Sequence, residues 1–170
     1  MIQRKLIVIV LFLCFSLLSS CSNSEAFLEE DILVVTGEYQ MEGKLTLPSN
    51  SKSPVPAVIL VGGSGPTNMN STVGKLHPFQ DIAEGLAKQG IATIRYNKRT
   101  FQYQSSLATK YMFSPQDEYV DDALHAIDIL LADERIDNEN IFLIGHSQGG
   151  QFAPVIANQT QHLKGIVIMA

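Results

Sequence analysis

The spacing of apolar residues changes along this chain, and each spacing predicts an element. From Gln40 to Pro48, Met41, Gly43, Leu45 and Leu47 alternate with Glu42, Lys44 and Thr46, the period of a strand with one dry and one wet face. Together with the β-branched residues 32–36 before it, this stretch predicts an antiparallel edge pair. Residues 55–61 and 141–144 are apolar without alternation, as expected of parallel strands buried on both faces, and 91–96 and 165–169 predict two more strands. Between these the period lengthens. Phe79, Ile82, Ala83, Leu86 and Ala87 predict a helix over 79–89 closed by Gly90 as its C′ residue. Val120, Ala123, Leu124, Ile127 and Leu131 predict a second helix. Its start is marked by Ser114 as N-cap, Pro115 at the first helical position and an acid at the third. A third helix begins near Gln148, and Pro154 would break or bend an ordinary helix interior. Strict alternation of strands and helices predicts an α/β fold: a mostly parallel sheet with right-handed crossovers, helices on both faces, and the antiparallel strand pair at its N-terminal end.

Composition narrows the class. At 170 residues with 45% hydrophobic content and a formal net charge of −5, the chain has the material for one cored domain. Its only basic cluster, Arg95 with Lys98 and Arg99, is short and follows a strand, which argues against nucleic-acid binding. The first residues are set apart from the fold. Arg4 and Lys5 precede an almost unbroken hydrocarbon run over 6–18, too short for an ordinary membrane-spanning helix. Leu18-Ser19-Ser20-Cys21 follows and resembles the lipobox of bacterial lipoproteins, which implies acylation of Cys21 and attachment to the membrane outside the cytoplasm. An ordinary signal peptide or an uncleaved anchor is the alternative. The expected organisation is a signal peptide over 1–20, a tether over 21–30 and the domain over 31–170. The expected location is the bacterial cell envelope, at the outer membrane in a cell with two membranes. Cys14 lies in the removed segment and Cys21 carries lipid, so no disulfide is expected.

Chemistry is concentrated in two glycine-rich turns. Gly145-His146-Ser147-Gln148-Gly149 is a G-x-S-x-G motif between a buried-type strand and a helix, the setting that a nucleophile elbow demands. Gly145 and Gly149 make room by lacking a Cβ, and the helix start points N–H groups and a positive dipole end at Ser147. The second turn, Gly62-Gly63-Ser64-Gly65-Pro66, ends a neighbouring strand at the same sheet edge. Backbone N–H groups of Gln148 and Ser64, with Gly63 the alternative to Ser64, are the candidate oxyanion donors. A plain strand-to-loop corner is the simpler reading of that turn. Phosphate cradling is disfavoured, because neither G-x-x-x-x-G-K-[ST] nor a fitting G-x-G-x-x-G occurs.

The two turns, with Arg95-Tyr96-Asn97-Lys98-Arg99 between them and Ala153-Pro154 after them, resemble the α/β-hydrolase superfamily. The resemblance is to bacterial secreted members near the dienelactone-hydrolase and prolyl-oligopeptidase-like branches. It implies a Ser147 nucleophile, an oxyanion hole from the two turns, no cofactor, and hydrolysis of a small-molecule carboxylic ester or related acyl bond. Asn97 and Thr100 stand where members often carry Asp and Gly. A prolyl-oligopeptidase-like peptidase and a non-catalytic envelope lipoprotein that keeps the fold are the alternatives.

A serine nucleophile needs a histidine base oriented by a carboxylate, and in this fold both follow the serine. After Ser147 the chain holds no Asp or Glu and a single histidine, His162, which reads as a solvated helix-end residue. The acid and base are therefore expected beyond Ala170, with these residues an N-terminal fragment, inactive alone and with an uncovered last strand. The resemblance implies a packing role for His146 rather than that of the base, and His77 reads as a solvated loop residue, with a place at the site entrance the alternative. His125 with Asp121, Asp122 and Asp128 has helical spacing but falls off the apolar stripe, so it reads as a solvated face and no metal site is expected. Lys98 and Arg99 are expected to pair with a carboxylate in the complete protein; simple exposure is the alternative. No signal of oligomeric state is present.

Overall fold

The computed structural model describes residues 26–104 and 114–170; the hydrocarbon run, Cys21 and the first half of the predicted tether fall outside them. The strands are β1 (Phe27–Thr36), β2 (Tyr39–Pro48), β3 (Val55–Val61), β4 (Ala92–Tyr96), β5 (Ile136–His146) and β6 (Leu163–Met169). The helices are α1 (Pro78–Ala87), the short α2 (Arg99–Gln102), α3 (Asp122–Leu131) and α4 (Gln148–Asn158), with a π-helical turn, Gln116–Asp121, leading into α3.

The described strands form one sheet in the order β1-β2-β4-β3-β5-β6. β1 pairs antiparallel with β2 and β2 with β4, whereas β3 pairs in parallel with both β4 and β5, and β5 with β6. Gly37, at φ +60, supplies the left-handed residue that the tight β1–β2 turn requires. The central strands are covered on both sides. Ala57, Ile59 and Val61 of β3 with Ile141 and Leu143 of β5 pack under α3 and α4. Val58 and Leu60 pack with Phe79 and Ala83 of α1 on the other face. That two-sided burial explains why 55–61 and 141–144 carry no alternation. β6 is an edge strand, and its Val167 and Ile168 are exposed. The order reverses at β3, with β4 on one side and the later β5 on the other. Such a switch point opens a crevice beyond the carboxyl ends of the strands.

Three expectations need correction. β1 starts at Phe27, so residues 27–30 belong to the sheet and not to a tether. Glu29 and Glu30 looked solvated because their partners are far away in sequence: Glu29 receives Nη2 of buried Arg95 at 2.6 Å, and Glu30 receives both terminal nitrogens of Arg135. β5 likewise extends beyond the apolar run 141–144: it starts at Ile136, with an irregularity in its register against β3 between Ile136 and Ile141.

The third correction concerns the helix before β5. Ser114 does bond reciprocally with Asp117, its hydroxyl donating to the carboxylate and accepting the Asp117 N–H. The next turn is then π-helical, which inserts an extra residue and rotates everything after it. The buried positions become Val120, Ala123, Ala126, Ile127 and Leu130, while Leu124 and Leu131 are only half-buried. Asp122, expected on a solvated face, is fully buried.

α1 closes as its glycine implies. Gly90 sits at φ +84, its N–H bonds Ala87 O, and the N–H of Ile91 reaches back to Leu86 O. Pro154 lies inside α4 without ending it.

Candidate active site

Ser147 stands between β5 and α4 at φ 52°, ψ −118°. This backbone conformation is nearly confined to glycine and costs on the order of 1–3 kcal/mol elsewhere. The surroundings impose it. The Ser147 N–H donates to Met169 O of β6 at 2.7 Å, and Ser147 O accepts the N–H of Gln151 as the first bond of α4. A residue that ends a strand and starts a helix within a single peptide has no relaxed alternative. The Ser147 side chain is left exposed.

The flanking glycines are required by contact. A Cβ on Gly145 would lie 2.4 Å from Gly149 O, and one on Gly149 would lie 2.4 Å from both Val61 O and Gly62 O. The first turn of α4 therefore rests directly on the end of β3, where no side chain fits. Gly63 continues the same close approach: a Cβ there would meet the Cβ of Ser147 at 3.2 Å and His146 Nδ1 at 3.3 Å. The two glycine-rich turns are thus brought together at the switch point, with Gly63 against Ser147.

Behind the Gly62–Pro66 turn lies a polar cluster. Lys98, immediately after β4, is buried and donates from Nζ to Gly63 O and Gly65 O, each at 2.9 Å, and to the Tyr119 hydroxyl at 2.6 Å. Glu118 completes its surroundings at 3.3 Å and also accepts the N–H of Thr100. Burial pulls the Lys98 ammonium below its ordinary pKa, and Glu118 opposes that shift. The Tyr119 hydroxyl lies 3.0 Å from Gly63 O and 2.8 Å from Gln148 Oε1. Burial pushes its ionisation far up, so it stays a donor. Neighbouring Arg99 places its Nε and Nη2 on Asp122, which also receives the Thr36 hydroxyl. Burial raises the Asp122 carboxyl and the guanidinium pulls it back. Both basic residues after β4 thus find their carboxylates within this chain.

Asn97 uses both ends of its amide, accepting the Met69 N–H and donating to Gln102. A carboxylate at that position would lose the second bond.

The histidines are dispersed. His146 is half-buried and meets the Phe79 ring edge-on at 6.5 Å. His125 is exposed and His77 half-buried, with His77 Nδ1 3.0 Å from the Thr72 hydroxyl. His162 precedes β6 at the level of Ile141, six residues before Ser147 along the paired strands, hence roughly 20 Å away at the opposite end of the sheet. Among the described residues no cluster of His, Cys, Asp and Glu is arranged to hold a metal ion.

The sequence pointed to both turns and to a pairing of Lys98 and Arg99. It left out Tyr119 and Glu118, which the π-helical turn carries to Lys98. No residue pattern announces a π-turn, because it preserves helical propensity and alters only phase.

Comparison with known proteins agrees with this geometry. The model of the serine aminopeptidase, S33 family of hydrolases matches residues 69–170. Esterase EstD of Thermotoga maritima is 41% identical over 148 residues, which cover 87% of this chain but 33% of that esterase. The chain therefore spans one third of the length of that relative. A dienelactone hydrolase-like promiscuous phosphotriesterase from metagenomic libraries superposes with a TM-score of 0.64 at 18% identity, over 85% of this chain and 59% of that one. An acylaminoacyl peptidase superposes with a TM-score of 0.65 at 21% identity, over 82% of this chain and 22% of its own. With more than half of its residues matched by the family model, the chain belongs to the serine aminopeptidase, S33 family and has the α/β-hydrolase fold.

Proposed function

We propose that Ser147 is the nucleophile of a serine hydrolase acting on a carboxylic ester of a small molecule. The observation that carries this reading is the positive φ of Ser147, strain held between two glycine contacts at the point where a substrate crevice is expected. The identity to an esterase supports the choice of ester over other acyl bonds.

In this reading Ser147 Oγ attacks the acyl carbon and the carbonyl oxygen becomes an oxyanion, which accepts the N–H of Gln148 and that of Ser64. Gln148 opens α4, where the first N–H groups have no partner within the helix. Ser64 shares its peptide with the Gly63 carbonyl that Lys98 holds, so its N–H faces away from the lysine. Collapse of the tetrahedral adduct breaks the ester bond and releases the alcohol, which takes the proton removed from Ser147. Water then attacks the acyl-enzyme and frees the acid. The proton carrier is a histidine with its carboxylate, which we assign to the whole protein outside these residues. Cys21 would carry the lipid that attaches the enzyme to the envelope membrane.

Incubation of the whole protein with a fluorophosphonate probe tests the nucleophile. Labelling is expected in the native enzyme and absent from Ser147→Ala; an equally labelled variant would refute the assignment, and an unlabelled native protein would favour a non-catalytic lipoprotein. Peptide hydrolysis is the second reading, favoured by the family's description as aminopeptidases. Turnover of an aminoacyl p-nitroanilide exceeding that of a p-nitrophenyl ester would select it. Incorporation of labelled fatty acid, lost in Cys21→Ser, tests the anchor.

A further inference from the structure

We propose that Lys98 and Tyr119 are positioning residues that hold the Gly62–Pro66 turn as an oxyanion-binding surface, an assignment that rests on the reading of Ser147 as nucleophile. An ammonium group carries three donors and no acceptor, so a buried lysine can grip a turn only by its carbonyls. Lys98 takes two of them, Gly63 O and Gly65 O. In a trans peptide the C=O and the following N–H point in opposite directions. Fixing Gly63 O on the lysine side therefore turns the Ser64 N–H away from it. The α-carbon of Gly63 lies against the Ser147 side chain. The lysine thus stands on one side of the turn and the serine on the other.

Tyr119 ties this arrangement to the other half of the site. Its hydroxyl accepts from Lys98 and has one proton to place, with Gly63 O at 3.0 Å and Gln148 Oε1 at 2.8 Å as acceptors. A single oxygen therefore joins the Gly62–Pro66 turn to the residue directly after Ser147. The π-helical turn that leads into α3 supplies it, and π-helical turns are frequent at functional sites. Stability alone explains the cluster poorly, since a whole buried ion pair such as Lys98–Glu118 is often replaceable by well-packed apolar residues of similar volume at little or no loss.

Lys98→Met and Tyr119→Phe in the whole protein test the assignment, with p-nitrophenyl ester turnover and affinity for a trifluoromethyl ketone, which forms an anionic adduct with serine. For Lys98→Met we expect kcat to fall about a hundredfold and ketone affinity by a similar factor, with KM within about twofold, as for an interaction made mainly in the transition state. Tyr119→Phe, which removes one oxygen, should lose about tenfold in kcat and in ketone affinity. In the whole protein, hydrogen exchange at the Gly63, Ser64 and Gly65 amides should quicken about tenfold in both variants.

Unchanged kcat, a fall in kcat without a matching loss of ketone affinity, or unchanged exchange at those amides would overturn the proposal. Should Lys98→Met fail to fold, Tyr119→Phe decides by the same criteria. If Ser147→Ala abolishes labelling while both variants keep native kcat, the positioning role fails and the nucleophile stands. Ester turnover without labelling at Ser147 would defeat both.

Discussion

The two ends of the parallel strands handle charge and space in opposite ways. At the carboxyl ends, Lys98, Arg99 and Asp122 are buried, glycines let backbones touch, and Ser147 is held at positive φ. At the amino ends, Arg135 stays 46% exposed while bridging Glu30 and Asp133. It borders an open cavity of about 400 Å³ lined by Leu28, Pro48, Ser51 and Pro54. One end spends stability on a fixed geometry, and the other closes the sheet with solvated pairs. Strain and buried charge gather where β3 and β5 end together, which is where the two glycine-rich turns meet.

Substitutions at the two ends should therefore differ in size and even in sign. The largest effect is expected from Gly149→Ala, whose new Cβ would lie 2.4 Å from two carbonyl oxygens of the β3 end. Only a backbone shift relieves that contact, so a loss above about 4 kcal/mol is expected in denaturant unfolding, or no folded protein at all. A mild effect would mean that the α4–β3 contact yields easily. Next comes Asp122→Ala, which strips Arg99 of a carboxylate inside the protein. A loss of about 3–5 kcal/mol is expected, since removing one partner leaves the other charge buried; a loss below about 1 kcal/mol would erase the contrast with the exposed end.

Ser147→Gly should act in the opposite direction. Glycine adopts φ 52° freely, so a gain of about 1 kcal/mol in unfolding free energy is expected, with no such gain for Ser147→Ala. Equal stability of the two variants would show that the elbow is not strained.

The smallest change is expected for Arg135→Met, below about 1 kcal/mol, because its ion pairs are largely exposed. Its pH dependence is specific. Hydrogen bonds from Arg135 hold the Glu30 and Asp133 carboxyls below the ordinary carboxylate range. Groups with depressed folded values stabilise above the unfolded value of about 4, and that contribution disappears as pH falls through the folded values. The melting temperatures of native protein and variant should converge in acid; a difference that persists there would indicate lost packing.

The elements legible in the sequence were those whose signal is local. β3 spans Val55–Val61 as its unbroken apolar run predicts, and Gly90 ends α1 in the expected manner, because burial on two faces and positive φ each leave a mark on the residues involved. The glycine-rich turns were legible for the same reason, since close backbone contact at Gly145 and Gly149 admits no other residue. Residues 27–30, Asp122 and Tyr119 were not. Glu29, Glu30 and Asp122 carry charges that read as solvated until their partners, Arg95, Arg135 and Arg99, are placed beside them. Tyr119 faces Lys98 only because the π-helical turn shifts the helix phase, which its side-chain pattern does not encode.

By itself, then, the sequence determined the alternation of strands and helices, the two-sided burial of β3 and β5, and the glycine-flanked serine, all set by side-chain period and the absence of Cβ atoms. Only the tertiary structure decided that the two turns meet at a switch in strand order, and that Lys98, Tyr119 and Asp122 are interior groups. A charge or hydroxyl is stable inside the fold only when distant residues supply its partners, and nothing in the local sequence states where they stand.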